Sequence, residues 1–180
     1  HPDYEHCIPA DEEFTEDTGQ QRETACVFRA VDMPSQEDLR TMLRTLDPFQ
    51  RQVLDIAVTY FKDLVKAQKD GNKLPEAPLL MCHGGAGAGK STVIKAIFLL
   101  AELILRQPGD NPDMPVCLKL AFTGCAAVNI GGFTMSSALS MGWACKLDAM
   151  QDKNRDSKRA QYQNLKAVII DEISMVGKAL

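Results

Sequence analysis

The 180-residue sequence predicts an α/β domain, a parallel sheet covered by helices on both faces, and three apolar runs carry that prediction. The first, residues 78–83, enters a glycine-rich loop at 84–89, and the loop opens into an apolar segment ending near Arg106. The second, residues 116–123, follows a Pro/Gly/Asn/Asp loop at 107–115. The third, residues 167–170, runs into Asp171 and Glu172. Strands that alternate with helices need crossover connections and therefore pair in parallel. The segment after the loop is apolar nearly all round, so it is expected between the sheet and another layer.

Residues 1–34 are acidic, short of aliphatics and without periodicity, and read as a linker or tail ahead of a domain spanning 35–180. Ser35 with Asp38 resembles a capping box that opens a short helix through Leu46. Asp47 and Pro48 then supply an N-cap and a proline at the first helical position. Phe49, Val53, Ile56, Tyr60 and Leu64 recur at helical spacing until Gly71 stops the helix. Between the second and third strands, residues 124–141 read as a loop and short helices broken at Gly131 and Gly132. Residues 146–166 read as an exposed insertion with a fraying helix.

A 45% share of hydrophobic and 24% of charged residues excludes a disordered, collagen-like or disulfide-scaffold chain. The longest apolar stretch, residues 93–105, is broken by Lys95 and Glu102 and falls short of the roughly 20 residues that a membrane span needs. Six cysteines occur without a C-x-x-C pair, which favours reduced thiols in an intracellular protein over a zinc site, and no secretory signal is visible. The net charge of −4 hides an asymmetry: residues 1–40 sum to −8 and residues 41–180 to +4. A mildly basic body is compatible with nucleic acid without requiring it.

Gly84-Gly85-Ala86-Gly87-Ala88-Gly89-Lys90-Ser91 satisfies G-x-x-x-x-G-K-[ST] in the strand, loop, helix setting the motif needs. Dense negative charge on phosphates calls for backbone N–H groups turned inward, which glycines permit, and for the positive end of a helix. Lys90 is expected to reach the β- and γ-phosphates of ATP and Ser91 to ligate Mg²⁺, with Thr92 completing the nucleotide-binding set. Asp171 and Glu172 end an apolar strand at the edge where open α/β sheets bind ligands. Asp171 is expected to hold Mg²⁺ through water and Glu172 to orient or deprotonate the attacking water. From local pattern alone the pair is equally the acidic first turn of a helix.

Three motifs in this order, the loop 84–91, Thr123-Gly124-Cys125-Ala126-Ala127-Val128-Asn129-Ile130-Gly131-Gly132-Phe133-Thr134, and Asp171-Glu172-Ile173-Ser174-Met175-Val176, resemble those of the Pif (petite integration frequency) DNA helicases. These belong to superfamily 1 and are related to RecD; the helicase segment of Helitron-type transposons is similar. The resemblance spans residues 46–177 and implies a RecA-like P-loop NTPase lobe. It further implies an ATP-dependent DNA helicase that translocates on single-stranded DNA and unwinds forked or tailed duplexes.

By the same resemblance Leu46-Asp47-Pro48-Phe49-Gln50 matches a Leu-Asn-x-x-Gln pattern with Asp for Asn, making Gln50 an adenine reader. Asp47 and Gln50 are also spaced as N-cap and N3 of a capping box, and Gln52 is a further candidate. Thr123, Gly124, Ala126, Ala127 and Asn129 correspond to a segment that contacts single-stranded DNA; a strand-to-helix turn capped by Thr is the other reading. The family's usual His is replaced by Ser136, so that imidazole's role has no carrier here.

No arginine finger and no second lobe follow the acidic pair, so a truncated first lobe is expected, with little unwinding or DNA-stimulated hydrolysis by itself. Another P-loop ATPase, AAA-type or a transposition helper, and a non-catalytic nucleotide- or DNA-binding fragment are the alternatives. The helicase reading implies residence in the nucleus or the mitochondrion and no membrane partner.

Overall fold

The computed structural model describes residues 28–85, 87–139 and 152–176, with the side chains of 152–155 excepted. The tail at 1–27, Ala86, residues 140–151, which include the first part of the insertion predicted at 146–166, and residues 177–180 lie outside the described residues.

Helix α1 (Gln36–Arg44) is capped by Ser35, whose Oγ accepts the Asp38 N–H at 3.1 Å; Glu37 and Asp38 sit in its first turn and Arg44 in its last, as the helix dipole favours. Helix α2 (Pro48–Asp70) starts at the Asp47 cap and ends at Gly71, whose φ of +66° supplies the left-handed closing residue. Its buried residues, Leu54, Ala57, Phe61, Leu64 and Ala67, recur every three or four positions and form one stripe. That stripe packs on helix α3 (Lys90–Leu105): Ala57, Phe61 and Leu64 meet Ala101, Leu105, Val116 and Cys117 in the largest core cluster. Leu46, Leu54 and Ala96 form a second cluster, against which Met42 and Leu43 of α1 lie.

Strand β1 (Cys117–Ala121) is central in a parallel three-stranded sheet of order β2-β1-β3. Helix α4 (Gly124–Ile130) and strand β2 (Phe133–Thr134) follow, then helices α5 (Met135–Leu139) and α6 (Asp152–Gln161) and strand β3 (Ala167–Asp171). Cys117 pairs with Ala167 and Ala121 with Asp171, while Leu120 pairs with Phe133. One face of β1 meets α3; on the other Leu118 and Leu120 are covered by Ala138, Phe133, Tyr162, Leu165 and Phe28. The predicted α/β class with a parallel sheet is the observed one. Phe28 and Ala30 precede the boundary read at Ser35 yet touch the domain, through rings on Phe133 and Tyr162 and an N–H bond to Asp113.

One predicted strand is absent. Residues 78–83 form no strand, and Leu79 and Met81 stand 102% and 80% exposed. An apolar run encodes a preference for extended backbone, but a strand also needs a partner ladder, and the chain enters this run through Pro75 and Pro78, which have no N–H to give. β3 thus ends the sheet, with Val168 and Ile170 on the face of Leu118 and Leu120 but 51% and 37% exposed.

Candidate functional site

The glycine-rich loop turns because two of its residues adopt conformations that side chains resist: φ is +78° at Gly87 and +74° at Gly89. A turn bond from the Ala88 N–H to the Gly85 carbonyl (3.3 Å) tightens it, and the Thr92 and Val93 N–H groups bond the Gly89 carbonyl as α3 begins. Gly89 caps that helix without a side chain, so the donors of the first turn have no side-chain partner competing with a ligand. Lys90 folds back over the loop, its Nζ donating to the carbonyls of Gly84 (2.8 Å) and Gly85 (2.9 Å). Ser91 and Thr92 are exposed beside it, and Gly84 is half-buried with Gly85 and Ala88 outside.

Gln50 realises the capping box: Asp47 Oδ1 accepts the N–H groups of Phe49 (2.8 Å) and Gln50 (2.9 Å), and Gln50 Oε1 accepts the Asp47 N–H (3.0 Å). The same amide also donates from Nε2 to the Ala88 carbonyl at 3.1 Å, bringing α2 onto the loop. Gln52 is exposed on the next turn position.

Asp171 is the half-buried last residue of β3, and its Oδ1 accepts the N–H of Glu172 at 3.0 Å. Glu172 is exposed and is the one non-glycine residue with positive φ (+53°) among the described residues. A left-handed glutamate costs on the order of 1 kcal/mol, strain of the kind that gathers at functional positions. A single 3₁₀ turn, Ile173–Met175, follows. The acidic pair therefore ends a strand and does not begin an α-helix.

Thr123 caps α4, its Oγ1 accepting the Ala126 N–H at 3.2 Å. Ala126 and Ala127 are 3% and 4% exposed, pack with Ala121 and Ile130, and give their N–H groups to Thr123 Oγ1 and the Thr123 carbonyl, so of the expected DNA-contacting set these two are turned into the core. Gly124 and Asn129 are exposed. Ser136 is exposed on α5.

These pieces share one end of the sheet. Ala121 and Asp171 are register partners, so the turn at Thr123 and the acidic pair leave neighbouring strands at the same level. Helix α3 runs back along them: Leu105 packs on Val116 and Cys117 at the start of β1, whereas Ile94, one turn after Lys90, packs on Ala121, Ala126 and Ala127 at its end. The loop, Lys90, Thr123 and Asp171 consequently crowd the carboxyl ends of parallel strands, where α/β sheets hold ligands. At the opposite end burial pushes the Cys117 thiol up to about 12, with the Glu102 carboxylate adding to the effect. Burial lowers Lys119, whose ammonium lies 4.0 Å from the centroid of the Phe98 ring.

Two features escape sequence reasoning. The Gln50 to Ala88 contact joins residues 38 apart, and no local spacing signals it. The buried Glu102, held by Arg106 at 2.6 Å, had a readable sign in its i,i+4 spacing.

Fold and site define a P-loop nucleotide-binding lobe of the α/β class. The AAA domain family matches residues 68–180, more than half of the chain, and the chain belongs to that family. Among curated proteins it is similar to the "ATP-dependent DNA helicase Pif1" of Bdellovibrio bacteriovorus, 40% identical over 101 residues that make up 54% of this chain and 20% of that protein. It is 36% identical over 100 residues to the "ATP-dependent DNA helicase PIF1" of Saccharomyces cerevisiae, 54% of this chain and 11% of the relative. For the Candida albicans protein of the same name the identity is 34% over 100 residues, 54% and 10%. The Pif resemblance read from the motifs is thus carried by relatives over about half the chain, and the matched stretch spans a fifth or less of their length. No solved structure is significantly similar to this one. No helix among the described residues is long and apolar enough to cross a membrane.

Proposed function

We propose that this chain is the ATP-binding lobe of an ATP-dependent DNA helicase that moves along single-stranded DNA and opens forked or tailed duplexes. The observation that carries the reading is the gathering of Lys90, Thr123 and Asp171 at one end of a parallel sheet. Lys90 already reaches across the loop, and exchanging the Gly84 and Gly85 carbonyls for phosphate oxygens turns neutral acceptors into charged ones. Gln50 would meet the adenine ring with the donor and the lone pair that its two existing bonds leave over.

Among the described residues no three His, Cys, Asp or Glu side chains converge on a metal. Mg²⁺ keeps several waters and needs few protein ligands besides phosphates, and the Ser91 hydroxyl and the Asp171 carboxylate would be its donors here. When bound, the ion would offset charge on the phosphates. Glu172, exposed one residue beyond Asp171, would orient the attacking water. DNA phosphates would meet the turn at Thr123 and Gly124 and the exposed Asn129, through backbone groups without reading bases. For such a protein we infer residence in the nucleus, with the mitochondrion as the other compartment, a reading supported by the likeness to the two yeast relatives.

Fluorescence anisotropy with a labelled single-stranded oligonucleotide tests the DNA half of the reading. Binding should be indifferent to sequence and fall steeply as salt rises, because released counterions drive it. No binding at low salt would remove this lobe from the DNA path.

A further inference from the structure

Gln50 holds two structures at once. Its Oε1 closes the cap of α2 on the Asp47 N–H, and its Nε2 holds the Ala88 carbonyl at the exit of the loop. A trans peptide is planar with its C=O and N–H on opposite edges, so an Ala88 carbonyl turned toward Gln50 sends the Gly89 N–H the other way. Among the described residues neither the Ala88 carbonyl nor the Gly89 N–H has another hydrogen-bond partner. Turning it over changes ψ of residue 88 and φ of residue 89, and glycine at 89 accepts either sign of φ. Gln50 lies hard against it: a Cβ on Gly89 would clash with Gln50 Nε2.

The geometry points to Gln50 as a positioning residue of the phosphate loop, fixing the 88–89 peptide so that the Gly89 N–H is set for a polyphosphate whether or not a base is attached. This rests on the reading of the loop as a phosphate site and goes beyond adenine recognition, which a ligand without a base cannot use. It also differs from simple capping, because Asp47→Ala weakens the cap while leaving the Asp47 N–H and the Ala88 carbonyl in place for Gln50.

The test is calorimetric titration of the chain with inorganic tripolyphosphate and Mg²⁺, for wild type, Gln50→Met and Asp47→Ala. Wild type should bind, Gln50→Met should bind roughly three- to tenfold more weakly, the effect of one neutral hydrogen bond. Asp47→Ala should melt earlier yet bind within about twofold of wild type, since its change is confined to the helix cap. Unchanged affinity in Gln50→Met, or an equal loss in Asp47→Ala, would overturn the positioning role while leaving the phosphate site standing. No binding by wild type would overturn the phosphate-site reading and this inference with it. Should Gln50→Met fail to fold, the wild-type NMR spectrum answers: the Gln50 side-chain N–H₂ signals should shift on adding tripolyphosphate, and static signals at saturation would count against the role.

Discussion

Asp47 shows how one carboxylate fixes the start of an element, because its Oδ1 accepts the N–H groups of both Phe49 and Gln50 in the first turn of α2. Asp47→Ala should lower stability by about 1 kcal/mol in urea unfolding, the usual cost of a lost N-cap. Cys117 carries a second residue-level expectation. Its folded pKa of about 12 exceeds the ordinary 9.0, so the unfolded chain releases the proton first as pH rises. Its contribution is complete below about pH 9 and is lost progressively between 9 and 12. Lys119, lowered by burial, has the opposite slope just below its ordinary 10.5, so the two are separated by substitution. Stability of Cys117→Ala should fall less than that of wild type when pH is raised from about 8.5 to about 10.5, by an amount on the order of 1 kcal/mol per pH unit of the thiol's shifted range. At neutral pH a thiol reagent should label the exposed Cys82 and Cys125 in the folded chain and spare Cys117 until unfolding.

At the scale of elements, a buried ion pair ties the end of α3 to the 107–115 connection that leads to β1. Arg106 binds the Glu102 carboxylate through Nε at 3.0 Å and Nη2 at 2.6 Å, and donates to the carbonyls of Asn111 and Met114. Glu102 is 5% exposed, so Arg106→Ala strands a buried charge and should cost about 3 kcal/mol or more. Replacing both residues with apolar ones of similar volume should return much of that loss, and a double variant no better than Arg106→Ala would refute the pairing argument. The signals of caps and pairs of this kind are local, which is why the starts of α1 and α2, the stop at Gly71 and the end of α3 were legible in the residues themselves, whereas α1 ends at Arg44 and not Leu46, β1 at Ala121 and not Thr123, and β3 runs one residue past Ile170 to Asp171. Pairing between distant segments is not local. The run at 78–83 has strand composition yet no ladder, and the Gln50 to Ala88 bond and the left-handed Glu172 left no mark on spacing. Gly132 likewise looks like a loop breaker, whereas its packing is the constraint: a Cβ there would run into the Lys119 backbone carbonyl. Gly132→Ala should push β2 from β1 and destabilise by about 1–3 kcal/mol, measured by thermal unfolding.

For the whole molecule, the α2 and α3 layer serves the carboxyl end of the sheet: it seats Lys90 beside the end of β1 and lets Gln50 brace the loop from behind. The acidic pair and the Thr123 turn arrive from adjacent strands in register, so four segments separated along the chain meet at the end of the sheet where the proposal puts a triphosphate beside a strand of DNA. Everything proposed about helicase action depends on the first of these ligands. The direct measurement is calorimetric titration of wild type and Lys90→Ala with ATP in the presence of Mg²⁺, with thermal unfolding of both as a control for folding. Saturable one-to-one binding by wild type, weakened tenfold or more in an equally folded Lys90→Ala as expected for a lost charge-assisted contact, is the predicted result. Equal affinity in the two proteins, or no binding by wild type, would contradict the account.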